Sequence, residues 1–125
     1  RGGGGKMAKI LIVDPDLHVL ECYKNLFSET GLELCVAEDA TSAMSQFGQC
    51  KPDLVILDMD LPGGGGKSVL GRLRSIFMSK VPVVFAAVNP VEVLDMSSDP
   101  DVYIVKKDFK TQALLITVKR ILKIT

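Results

Sequence analysis

Apolar positions fall into short unbroken runs separated by stretches with helical spacing. Leu54–Leu57 and Val81–Val88 are continuous runs bounded by turn residues, which predicts strands buried on both faces. Lys9–Val13 reads as a further strand, Glu33–Ala37 as a short alternating one and Val102–Val105 as a fifth. Between them, Leu17, Leu20, Tyr23 or Lys24, and Phe27 recur at helical intervals over about Asp16–Glu29, with Gly31 as a C-cap. Ala43, Met44 and Phe47 define a second helix, capped by Asp39 or Thr41 and ended by Lys51-Pro52. Val69, Leu70, Leu73, Ile76 and Phe77 place a third over Ser68–Met78. Val91–Met96 has room for barely two turns before Ser97–Pro100 breaks it, and Thr111–Ile124 carries a broad stripe of Leu114, Val118, Ile121 and Leu122.

Strands that alternate with helices pair most economically in parallel through right-handed crossovers, with helices on both faces of the sheet. The expected fold class is therefore α/β: a flavodoxin-like (βα)5 three-layer sandwich with a parallel five-stranded sheet in the order 2-1-3-4-5. That order puts the first and third strands side by side. Both end in carboxylates, Asp14 and Asp16 after the first and Asp58 after the third. Ligands of open α/β sheets bind beyond the carboxyl ends of the strands, and acids collected there point to a hard divalent cation, typically Mg2+.

Composition narrows the choice. A chain of 125 residues buries roughly two thirds of its unfolded surface, enough for one core. Fifteen basic and fifteen acidic residues cancel, so no charge excess argues for nucleic acid or an anionic membrane as partner. No apolar run approaches bilayer thickness and no signal peptide is evident, which makes a cytoplasmic protein the expectation. Cys22, Cys35 and Cys50 lack CxxC spacing and leave an odd count, so reduced thiols are expected rather than a disulfide or zinc site. Residues 1–6, with four glycines before Met7, read as an appended or flexible leader, and residues 7–125 as the domain.

Two motifs imitate other chemistries. Gly63–Gly66 followed by Lys67-Ser68 resembles a P-loop, but that motif needs glycine where Leu61 stands, so the segment reads as a flexible βα loop. Asp58-Met59-Asp60 resembles the DxD of haloacid-dehalogenase-like phosphatases, yet those carry it on the first strand, whereas here it follows the third. His18, the one histidine, sits in a first helical turn, where a solvated or capping residue is the plain reading.

KILIVD at the first strand, PDLVILDMDLPG at the third, VPVV opening the fourth and YIVKK at the fifth together resemble a response-regulator receiver domain over Lys9 to about Lys123. The resemblance implies that Asp58 accepts a phosphoryl group from a histidine kinase or phosphotransfer protein. It further implies Mg2+ held by Asp14, Asp58 and the backbone carbonyl of Asp60, with Asp16 as an additional candidate. Lys106 would contact the phosphoryl group, and Tyr103 would match the switch aromatic. Three departures stand out. Pro15 replaces the second acid of the usual pair, Ala87 replaces a Ser or Thr, and Lys107 replaces a proline. A cis Lys106–Lys107 bond would cost about 2.5–4 kcal/mol, so trans is expected. The short path from Ala87 to Lys106 also implies a stunted fourth helix.

The function expected from these residues is a two-component phosphoacceptor, a switching module rather than an enzyme, signalling to a homodimer partner or attached output domain. The alternative is a pseudo-receiver that works as a phosphorylation-independent interaction or dimerisation module. A haloacid-dehalogenase-like phosphatase is a distant third.

Overall fold

The three most deeply buried strands take the centre of the sheet. The computed structural model describes residues 7–62, 64–89 and 99–124. Five parallel strands, β1 (Lys9–Val13), β2 (Glu33–Ala37), β3 (Leu54–Asp58), β4 (Val83–Ala87) and β5 (Val102–Lys106), run in the order β2-β1-β3-β4-β5. Every residue of β3 and β4 is buried, whereas β2 and β5 are only partly covered, as edge strands are.

Alternation along the strands builds two apolar layers. Leu11, Val13, Val55, Leu57, Val83 and Phe85 pack on α2 (Ala40–Cys50) and α3 (Gly65–Ser75) through Phe47, Val69 and Leu73. Ile10, Ile12, Leu54, Ile56, Val84 and Ala86 face the opposite way. They meet Leu20, Tyr23 and Phe27 of α1 (Leu17–Leu26) and its C-cap, and Leu114 and Val118 of α4 (Ala113–Leu122).

Element ends depart from the pattern for local reasons. Helix α1 stops at Leu26 because Ser28 and Thr30 donate their hydroxyls to the carbonyls of Asn25 and Phe27, which competes with further turns. Gly31, at φ +78°, shapes the following turn instead of capping the helix directly. Helix α3 begins at Gly65, earlier than the apolar spacing indicates, behind Gly64 in a left-handed conformation. Asp39 is the N-cap of α2, in a reciprocal box with Ser42. The short helix expected over residues 91–96 lies outside the described residues.

The thiol expectation is overturned. Cys35 of β2 and Cys50 at the end of α2 form a disulfide, with Cα atoms 6.7 Å apart, and Cys22 is free. Helix α2 runs back over the strand that precedes it and delivers its last residue to β2, a juxtaposition that spacing along the chain does not reveal.

Candidate functional site

Strands β1 and β3 pair with Val13 opposite Leu57, so the next residue of each chain segment, Asp14 and Asp58, emerges at the same edge. Both carboxylates are buried, at 1% and 8% exposure. Part of their charge is offset by the residue that follows β5. Lys107 Nζ donates to Asp14 Oδ2 and to Asp58 Oδ1, each at 2.7 Å. The two oxygens are therefore no more than twice that distance apart. Burial by itself would lower the pKa of Lys107, but its hydrogen bonds to Asp14 and Asp58 and their negative charges outweigh it and hold the ammonium above the ordinary lysine value.

The lysine at this position is Lys107, whereas the resemblance had assigned the contact to Lys106. Lys106 is exposed and pairs with Ala87 across the β4–β5 ladder. The pleat explains the exchange. Val105 faces the α1/α4 layer, and Lys107, two residues on, shares its side while Lys106 points away. The Lys107 amide still donates to Ala87 O at 2.8 Å, which extends β5 pairing one residue past the strand and aims the side chain at the carboxylates. Tyr103 lies on the edge strand β5, 38% exposed. No cis peptide occurs among the described residues, as expected for Lys106–Lys107.

Both oxygens of Asp14 have a partner, since its Oδ1 accepts the Asp16 amide at 2.9 Å. Asp16 turns to other work. Its Oδ1 accepts the amides of His18 at 2.8 Å and Val19 at 3.4 Å, capping α1. Of the acids flanking Pro15, only Asp14 therefore meets Asp58. Beneath them Tyr23 is buried edge-on against Phe109, ring centroids 4.8 Å apart. Burial, then the charges of Asp14 and Asp58, push its hydroxyl far above the usual tyrosine range, so it stays neutral.

The loop after β3 folds tightly over the acceptor strand. The Gly66 amide donates to Met59 O and the Gly65 amide to Leu61 O, both at 3.0 Å. A Cβ on Gly66 would stand 2.6 Å from the Asp58 carbonyl oxygen, so only glycine lets the loop approach this closely. Two of the glycine amides are thus spent inside the protein, unlike those of a nucleotide-cradling loop. Above Asp58 opens a cleft of about 260 Å3, lined by Asp58, Met59, Asp60, Lys67, Ala87, Val88 and Asn89. Ala87 stands where a hydroxyl was expected and gives the cleft wall only a methyl group. Lys107, Gly66 and Lys67 were not singled out by their local sequence as site residues. The signal available for Lys107 was its parity with Val105.

Residues 10–119 match the family described as the response regulator receiver domain. The chain is 36% identical over 114 residues to the DNA-binding response regulator MtrA of Mycobacterium tuberculosis, covering 89% of this chain and 49% of MtrA. It is 29% identical over 119 residues to the phosphate regulon transcriptional regulatory protein PhoB of Escherichia coli, covering 92% and 52%. The chain thus spans about half the length of these relatives. Response regulator TrrA of Thermotoga maritima, solved in complex with Mg2+ and BeF, superposes with a TM-score of 0.80 at 29% identity, covering 91% of this chain and 98% of that one. With the 2-1-3-4-5 sheet and the paired aspartates at its edge, these matches establish that the chain belongs to the receiver-domain family of two-component response regulators.

Proposed function

We propose that the domain accepts a phosphoryl group on Asp58 from the phosphohistidine of a sensor kinase or phosphotransfer protein. The observation that carries this reading is the convergence of Asp14, Asp58 and Lys107 beneath an open cleft. Lys107 holds Asp58 Oδ1, which fixes the carboxylate for attack by its other oxygen. A bond forms between that oxygen and phosphorus, the donor's P–N bond breaks, and its electron pair leaves with the imidazole. Phosphoryl transfer depends on such positioning and on offsetting charge, so a small site suffices.

The donor set fits Mg2+. Two buried carboxylates share one pole, and Mg2+ commonly binds through one or two carboxylates while retaining several waters. Among the described residues no third acid, His or Cys side chain joins them. Asp14, Asp58 and the Asp60 carbonyl would hold the ion, with water in the place of the acid that Pro15 removes. When bound, it supplies positive charge to the phosphoryl oxygens. The domain acts as a cytoplasmic switch without turnover of its own, passing its state to an output domain or a second copy, as the DNA-binding relatives suggest. No helix among the described residues is long and apolar enough to cross a membrane.

Pro15 and Ala87 favour a second reading, a pseudo-receiver that presents this fold without phosphate control. Incubation with Mg2+ and acetyl phosphate, read by intact mass, decides between them. One acid-labile phosphoryl adduct, absent from Asp58→Ala, is expected; no adduct at any Mg2+ concentration would establish the pseudo-receiver instead. Continuous phosphate release from many substrates would point to the phosphatase.

A further inference from the structure

The bond between Cys35 and Cys50 closes a segment of sequence separation 15 that touches the site at two backbone points. The Ala37 carbonyl, at the end of β2, accepts the Asp14 amide at 3.1 Å. The Ala40 amide, at the start of α2, donates to Pro62 O in the loop after β3 at 3.2 Å. Both contacts come from residues inside the closed segment. Resting on the assignment of Asp58 as acceptor, we propose that the Cys35–Cys50 pair is a redox switch, in which thiol–disulfide exchange sets how readily Asp58 is phosphorylated.

Local preference does little to hold this segment. Strand β2 lies at the edge of the sheet, partly covered and paired on one side, with β1. Helix α2 contains Thr41, Ser42, Ser45 and Gly48, all weak helix formers, and no charged residue that could form ion pairs along its surface. Its start is capped by Asp39 and its middle is anchored by Ala43 and Phe47, but it ends at Lys51 in the left-handed conformation, φ 53°, which a side chain rarely adopts. The bond ties the last residue of this helix to the middle of the edge strand, so opening it loosens the carboxyl end of α2 and the outer strand together. Looser backbone at Ala37 and Ala40 shifts Asp14 and the loop after β3, on whose placement phosphoryl transfer depends.

Cys35 is partly buried on the edge strand, whereas Cys50 is 7% exposed, so a glutathione thiolate attacks Cys35 Sγ. The S–S bond breaks, and Cys50 leaves as a thiolate that takes up a proton. A second glutathione thiolate attacks the glutathione sulfur of the mixed disulfide, which frees Cys35 as a thiolate, protonated in turn, and gives glutathione disulfide. Two electrons thus pass from two glutathiones to the pair, and glutathione disulfide reverses the sequence. In the cytoplasm proposed for this domain, a disulfide is typically of this transient, redox-sensing kind.

Labelling of Asp58 by acetyl phosphate at saturating Mg2+ tests this on protein equilibrated with defined ratios of glutathione to glutathione disulfide, the bond being scored by thiol alkylation and intact mass. The expectation is roughly fivefold slower labelling of the reduced form, with recovery when glutathione disulfide restores the bond. Cys50→Ser is expected to show the slow rate at every ratio, and Cys22→Ser to behave as the parent. Circular dichroism at the labelling temperature confines the comparison to folded protein, and Cys35→Ser repeats the test should Cys50→Ser fold poorly. Equal or faster labelling after reduction would overturn the switch and leave Asp58 as acceptor, as would a bond that glutathione cannot open or glutathione disulfide cannot close. Absence of labelling in both forms would overturn the acceptor assignment and the switch with it.

Discussion

Lys107 Nζ lies 2.7 Å from Asp58 Oδ1, and the same ammonium holds Asp14 at an equal distance, so one cation just past the edge strand β5 reaches over β4 and links the tips of β1 and β3. Removing one partner of a buried charge group strands the others. Lys107→Ala is expected to destabilise the domain by about 3 kcal/mol in urea denaturation and to abolish Asp58 labelling. Lys106→Ala, on the exposed side of the pleat, is expected to change stability by less than about 0.5 kcal/mol. Equal effects of the two substitutions would refute the assignment of Lys107.

The pH dependence of that cluster follows from the raised pKa of Lys107. The folded state holds the proton more tightly than the unfolded chain, so the stabilisation is complete below the ordinary lysine value of 10.5 and is lost as pH climbs through the higher folded value. The stability gap between parent and Lys107→Met is expected to stay constant from pH 7 to 9 and to narrow only above about 10.5. Denaturation midpoints measured across that range provide the check, and a gap that closed near neutrality would contradict it.

Two glycines of α3 should respond in opposite directions. At Gly66 an added methyl would meet the Asp58 carbonyl oxygen at 2.6 Å and the Phe85 ring at 2.9 Å, and the backbone oxygen cannot step aside. Gly66→Ala is expected to cost about 2 kcal/mol and to slow labelling. Around Gly71 nothing lies within 4 Å, so Gly71→Ala should gain roughly 0.5–1 kcal/mol from helix preference alone. Thermal melts of the pair would show whether the loop really presses on the acceptor strand.

The Cys35–Cys50 link closes a loop of sequence separation 15 between an edge strand and the helix that covers it. By restriction of the unfolded chain, its reduction is expected to lower stability by about 3 kcal/mol, with Cys50→Ser reproducing the loss and Cys22→Ser leaving it untouched. Intact mass under non-reducing conditions, paired with denaturation with and without dithiothreitol, measures both the bond and its effect. In a reducing cytoplasm such bonds are usually transient.

Much of the architecture was legible because hydrophobic period and strand centrality report the same thing. The uninterrupted runs of β3 and β4 became fully buried central strands, and the alternating Glu33–Ala37 became an edge. The carboxylates of the site were legible for the same reason: Asp14 follows directly on one buried strand and Asp58 ends another, and the 2-1-3-4-5 order brings those strands together. The lysine was not. Two adjacent lysines, Lys106 and Lys107, carry identical chemistry, and which of them faces the aspartates depends on the phase of β5, where a single-residue slip reverses every side chain.

From its amino-acid pattern alone, this chain determined the strand order, the two helical layers and the pair of aspartates at one edge, because these follow from local periodicity and from general rules of parallel connection. Tertiary structure decided which side of β5 faces those aspartates, that Asp16 caps a helix instead of joining Asp14, that Lys67 shares the cleft of Asp58, and that Cys35 meets Cys50. Apart from the Asp16 cap, which is a local contact to His18 and Val19, each of these joins residues distant in sequence or chooses a face on the pleat, and such outcomes depend on register and packing that no local window of residues contains.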